Sequence, residues 1–164
     1  MDSEQLVAEL RRADLFQAMD QADLSAVAAI AEERFSPPGQ HFFFEGDIAT
    51  EFFLVCSGKV RVYVPGHGDE LEVGMVGGGE LFGEGGMLDG GPRVASAVAI
   101  EPSTVLAIPR PGWLDIVQHR NDVCDQMLIA LGASFRRYAG HAIDLLFLDV
   151  DIPDFPPDDG HSMA

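Results

Sequence analysis

Apolar positions near the start of the chain recur at helical spacing. Leu6, Val7 and Leu10 form one set, and Leu24, Val27, Ala28, Ile30 and Ala31 form a second within Asp23 to Glu33. Asp20 precedes the second set as its N-cap, and Ser36-Pro37-Pro38-Gly39 breaks the helical pattern with a turn. From Gln40 the pattern changes to short β-branched and aromatic runs: HFFFEG, EFFLVCSG, KVRVYVPG and ELEVGMVGGGE, each bounded by Gly, Pro or Asp. Val94 to Ile100 and Thr104 to Ile108 continue the series. Short strands at this spacing predict a small antiparallel sandwich or barrel, with glycines such as Gly39, Gly46 and Gly58 at its corners.

After Pro111-Gly112 the helical period returns. Trp113 to Gln118 predicts a short helix, and Asn121 or Asp122 caps a longer one. Along the long helix Cys124, Leu128, Leu131, Phe135, Tyr138, Ala142 and Leu145 alternate by four and three residues, an a/d seam. A second stripe holds Met127, Ala130, Ile143, Leu146 and Phe147. A helix apolar on two faces needs two partners, so one stripe is expected on the chain's own sheets and the seam against a second copy. The final stretch, DVDIPDFPPDDGHSMA, has no periodicity and predicts an acidic, disordered tail. The expected organisation is N-terminal helices over 1–36, the β-roll over 37–110, C-terminal helices over 111–148 and the tail over 149–164.

Charge narrows the range of partners. The 164-residue chain has a formal net charge of −17, and no Lys or Arg follows Arg137. Nucleic-acid affinity comes largely from cations that neutralise phosphates, so no direct nucleic-acid contact is expected. The start MDSEQLVAEL lacks a signal peptide's basic and apolar regions, and no apolar run is long enough to span a bilayer. Cys56 and Cys124 are far apart and lack metal-ligand spacing, which fits buried free thiols in a reducing compartment. The expected location is the cytoplasm. The five histidines form no H-x-H pair, and Ser57 lies in no nucleophile elbow, so neither a metal centre nor an enzyme is expected. Gly77-Gly78-Gly79 lacks the Lys of a phosphate loop and reads as a flexible corner.

The chemistry concentrates in FGEGGMLDGGPRVASA, Phe82 to Ala97. Gly83, Gly85 and Gly86 allow backbone N–H groups to approach an anion closely, and the Arg93 fork matches phosphate oxygens. A carboxylate is repelled by phosphate, so Glu84 is assigned to a neighbouring donor, most simply a sugar hydroxyl.

These residues resemble the phosphate-binding cassette of the cyclic-nucleotide-binding domain family, in its catabolite-activator/FNR (CRP/FNR) branch. The family's F-G-E-x-[AGS]-x-L, short loop and P-R-x-A are matched by Phe82 to Leu88, Asp89 to Gly91 and Pro92 to Ala95. Pro38-Gly39, Glu45-Gly46-Asp47, Phe53-Leu54-Val55, Ser57-Gly58-Lys59-Val60 and Glu101 to Ile108 resemble further family motifs in order. The resemblance implies an α+β, mainly β fold: an antiparallel double-stranded β-helix (a jelly-roll barrel) with N-terminal helices and a long C-terminal helix. It also implies a ligand, cAMP or cGMP, and no separate cofactor. Arg93 would hold the cyclic phosphate, Glu84 the ribose 2′-hydroxyl, and Gly83 and Gly85 would add backbone contacts. Val94 and Ala95 complete the cassette, Val73 and Val76 would wall the base, and the long helix would form a lid around Tyr138. Val94 stands where many cAMP-responsive relatives carry Ser or Thr, and Tyr138-Ala139 where the bacterial activator carries Thr-Ser, which leaves the base open. The expected product is a sensor module without its own DNA-binding domain, dimeric through Leu128, Leu131, Phe135, Tyr138 and Leu145. The alternative is a truncated or degenerate regulator that acts by dimerisation with an empty pocket.

Overall fold

A computed structural model describes residues 1–66, 68–87 and 89–147, with side chains through Ala133 and at Phe135, Arg136 and Ala139 beyond it. Helix α1 (Ser3–Leu10) is closed by a capping box between Asp2 and Gln5. A 3-10 turn (Asp14–Ala18) leads into α2 (Gln21–Ile30), where the Asp20 carboxylate accepts the Asp23 N–H at 2.9 Å, as the sequence predicts. That bond holds the Asp20 carboxyl below its ordinary 3.8. A depressed carboxyl contributes stability above its unfolded pKa and loses it as pH falls through the folded value. Asp20→Ala is therefore expected to unfold more easily than the parent at pH 7, with the gap closing below about pH 3.8; urea titrations at the two pH values measure it.

Eight strands follow: β1 (Glu32–Ser36), β2 (His41–Phe43), β3 (Glu51–Ser57), β4 (Lys59–Pro65), β5 (Glu70–Gly77), β6 (Leu81–Phe82), β7 (Ser96–Ala99) and β8 (Ser103–Pro109). They form two antiparallel four-stranded sheets, ordered β1-β8-β3-β6 and β2-β7-β4-β5. This is the antiparallel jelly roll that the sequence predicts, in its sandwich form: the sheets are not closed into a barrel. The chain passes between layers at tight corners rather than running one strand through both sheets. Gly58 is such a corner, with φ at 99°. A Cβ there would lie 2.2 Å from Ser103 Oγ, so only glycine fits.

The first strand also starts earlier than the pattern indicates. Residues 32 and 33, read as the end of the second helix, pair with Ala107 and Leu106 in β8. Arg34 then donates to Glu51 at 2.6 and 2.9 Å, which fixes this edge strand across the sheet.

Alternation along β3 divides the protein into two cores. Phe52, Leu54 and Cys56 face the helices, while Phe53 and Val55 face the second sheet. A strand covered on both faces reads as a continuous apolar run, which is what EFFLVCS is. On the helical side Trp113, from α3 (Arg110–Val117), meets Phe16 and Phe52 edge-on at 5.8 and 5.3 Å. The long helix α4 (Asn121–Phe147) adds the buried Val123 and Met127 to this core. Met127 thus packs inward as its stripe predicts. Burial pushes the Cys56 thiol up to about 12, whereas Cys124 is only half-buried. Among the described residues no helix is long and apolar enough to cross a membrane.

Candidate functional site

The cassette loop is held against the segment after β2 by backbone bonds. Arg93 N–H donates to Asp47 O at 2.7 Å, Gly46 N–H to Arg93 O at 2.9 Å, and Ala49 N–H to Gly91 O at 3.0 Å. This pinning carries the Arg93 side chain inward, where it is 7% exposed. Its Nη1 donates to Gly83 O at 2.6 Å and its Nη2 to Glu51 O at 2.5 Å. The guanidinium lies 4.0 Å from the centre of the Phe43 ring, a cation–π contact. Arginine carries five N–H donors, and Nε is buried without a partner among the described residues. A buried donor of this kind costs free energy until something accepts from it. Burial lowers the guanidinium's proton affinity, and the Glu51, Asp47 and Glu84 carboxylates oppose that shift.

Glycine geometry makes room for this arrangement. Gly83 has φ at 75°, and a Cβ on it would lie 2.9 Å from Arg93 Nη1 and 3.0 Å from Phe43. A Cβ on Gly86 would lie 2.2 Å from that of Ala49. Glu84 opens a second 3-10 turn, Glu84–Met87, and is 6% exposed. It is therefore part of the interior and not a solvated surface charge.

These groups border a cavity of about 650 Å³ between the second sheet, the cassette and α4. Gly83, Glu84, Gly85, Arg93, Val94, Ala95 and Val73 all line it, so the structure brings together seven of the nine residues singled out from sequence. Val76 is fully buried between the sheets and is not on the cavity wall. The register of β4 on β5 shifts between Val62 and Tyr63, pairing them with Gly74 and Glu72 and leaving Val73 at the bulge. The bulge lets Val73 and Val76 both point inward at different depths. The Tyr138 side chain lies outside the described residues.

Sequence reasoning missed Phe43, Val62, Val64 and Leu71, which also line the cavity, as do Gly86, Asp89 and Pro92 of the cassette motif and Ala139 of the Tyr138-Ala139 pair. The alternation of Val60, Val62 and Val64 was the available signal for the sheet wall. Leu131 and Phe135, expected in an intersubunit seam, line this cavity as well. Leu131 also packs partly on the helical core, because α4 lies against the chain's own sheet.

A second cavity, about 700 Å³, lies between the first 3-10 turn, the β5–β6 turn and α4, and among the described residues of the cassette it meets Glu84. The Gly77–Gly79 turn beside it is packed rather than open. A Cβ on Gly78 would come within 2.8 Å of Arg12 Nη2 and 3.1 Å of Cys56 O. The first cavity, with its buried cation, buried carboxylate and apolar walls, fits an anion on a hydroxyl-bearing ring that carries a flat apolar group.

Known proteins show the same assembly. The model for the cyclic nucleotide-binding domain matches residues 33–120. The Cyclic AMP receptor protein of Thermus thermophilus is 35% identical over 139 residues, 84% of this chain and 63% of that protein. The crystal structure of the Thermus thermophilus Catabolite Activator Protein superposes with a TM-score of 0.68, covering 82% of this chain and 63% of that one at 35% identity. The regulatory domain of Toxoplasma gondii PKA, co-crystallised with cAMP, gives 0.66 at 29% identity, over 70% of this chain and 44% of that one. The chain thus spans less than two thirds of the length of these relatives. With the domain model matched over residues 33–120 and a relative 35% identical over 84% of the chain, the chain belongs to the cyclic nucleotide-binding domain family.

Proposed function

We propose that this chain is the sensing module of a regulator, a binding protein rather than an enzyme, and that it takes cAMP or cGMP into the cavity beside the cassette. The carrying observation is Arg93: a buried guanidinium whose Nε has no partner among the described residues, on the wall of a cavity large enough for a nucleotide. Arg93 would receive the cyclic phosphate, with Gly83 and Gly85 shaping the backbone around it. Glu84 would accept the ribose 2′-hydroxyl. Val73 and the neighbouring strand residues would contact the base. Because Leu131, Phe135 and Ala139 of α4 line the same cavity, a bound ligand touches the helix directly and favours the helix position that fits it. Thermal unfolding tests the reading: cAMP or cGMP at a hundred times its Kd should stabilise the protein by about 2.7 kcal/mol. An unchanged transition with both nucleotides would refute it.

The same helix supports self-association. Leu128, Ile129 and Phe135 are 56, 61 and 73% exposed, three large apolar side chains on one element. Pairing of two copies along α4 would cover them. Leu128→Glu is expected to shift the sedimenting species from dimer to monomer; a monomeric parent protein would contradict the pairing.

A further inference from the structure

The guanidinium of Arg93 is held by three contacts, and one of them is an aromatic ring from a distant strand. The carbonyls of Gly83 and Glu51 accept from its Nη1 and Nη2. Phe43, at the end of β2, places its ring centre 4.0 Å from the cation. That ring is 9% exposed and packs on those of Phe53 and Phe82, at 6.0 and 6.1 Å between centres. Phe53 and Phe82 stack on each other at 4.8 Å, so Phe43 rests on a packed block of rings in the core between the two sheets.

We propose, resting on the cyclic-nucleotide reading above, that Phe43 is a positioning residue whose ring holds Arg93 toward the cavity before the nucleotide arrives. An aromatic face attracts a cation without offering an oxygen, so it does not compete with a phosphate for the N–H donors. A carboxylate in the same place would compete. Glu51, Asp47 and Glu84 stand close enough to act on the cation. Freed from the ring, the arginine would be drawn to one of them, because a pair between two charged groups is stronger than a bond to a neutral carbonyl. The nucleotide would then have to break that pair before its phosphate could be held, and the cost would appear in affinity. Phe43 also lines the cavity, so its ring stays beside the cation when the site is filled.

Titrations of the full chain and of Phe43 variants with cAMP and cGMP test this role. Phe43→Leu removes the ring and is expected to weaken whichever nucleotide the parent binds by about ten- to thirtyfold. Phe43→Tyr keeps the aromatic face and should stay within about threefold of the parent. Phe43→Met fills the space without a ring; it should match the leucine variant, and it replaces that variant if leucine impairs folding. Loss of wall area alone would weaken every ligand alike, so a second readout isolates positioning. It is the affinity ratio of the two phosphorothioate diastereomers of the nucleotide, in which sulfur replaces one or the other exocyclic phosphate oxygen. A fixed guanidinium distinguishes those oxygens. The parent and Phe43→Tyr should share one preference, and Phe43→Leu and Phe43→Met should show a weaker one. Variants without the ring that bind as tightly as the parent, or that keep its diastereomer preference, overturn the proposal and leave the cyclic-nucleotide reading intact. So does a parent that binds both diastereomers equally, or a tyrosine variant as weak as the leucine one. A parent that binds neither cAMP nor cGMP removes the reading and the proposal together.

Discussion

Arg93→Leu is expected to remove cyclic nucleotide binding. A fork of two charge-assisted hydrogen bonds contributes about 3–6 kcal/mol, so its loss weakens affinity by roughly a hundredfold to ten-thousandfold. The geometry explains why no neighbour compensates. Arg93 is the one cation among the described side chains on the cavity; Glu84 and Asp89 also line it, and Glu51 and Asp47 lie near the guanidinium. Without the guanidinium, an incoming phosphate would meet these carboxylates. Leucine also deprives the carbonyls of Gly83 and Glu51 of their donors, so the variant loses some stability as well. Arg93→Lys separates the two effects. It keeps the charge but not the planar fork, and should bind more weakly than the parent and more tightly than the leucine variant. Isotherms on variants with intact circular dichroism would check both.

Gly83→Ala should produce the next largest loss. The left-handed backbone at φ 75° costs an alanine about 1–2 kcal/mol. The larger consequence is local: the new methyl would sit 2.9 Å from Arg93 Nη1 and 3.0 Å from Phe43, both closer than carbon tolerates. The guanidinium must move off the Gly83 carbonyl and off the ring that supports it. Displacing one charge-assisted bond in this way should weaken cAMP and cGMP by about ten- to a hundredfold. Urea unfolding should show only the smaller stability change. Equal effects on stability and on binding would mean that Gly83 serves the fold alone.

The cassette was legible because its chemistry is local. Two small-residue turns, the acids Glu84 and Asp89, and Arg93 lie within the twelve residues 82–93, so the motif is read from one continuous run. Residues that reach the cavity from other elements were harder to read. Phe43 lies under the guanidinium only because the segment after β2 is bonded to the cassette, more than forty residues away in the chain. Val73 and Val76 look equivalent in sequence, and the bulge opposite Val62 and Tyr63 separates them. Glu32-Glu33 continues a helical pattern without interruption, and only pairing with β8 holds it extended. The seam on α4 was a true period with an incomplete meaning. Leu131 and Phe135 recur at heptad spacing, yet both line the nucleotide cavity once the helix packs on the sheet. Periodicity shows that a face is apolar and does not show what covers it.

Isothermal titration of the full chain with cAMP and with cGMP, run beside Arg93→Leu, tests the central claim most directly. Saturable binding of at least one nucleotide at one site per chain, lost in the variant, is the predicted result. Heats that match the variant's for both nucleotides, or binding that survives the loss of Arg93, would contradict the assignment of this cavity as the cyclic nucleotide site.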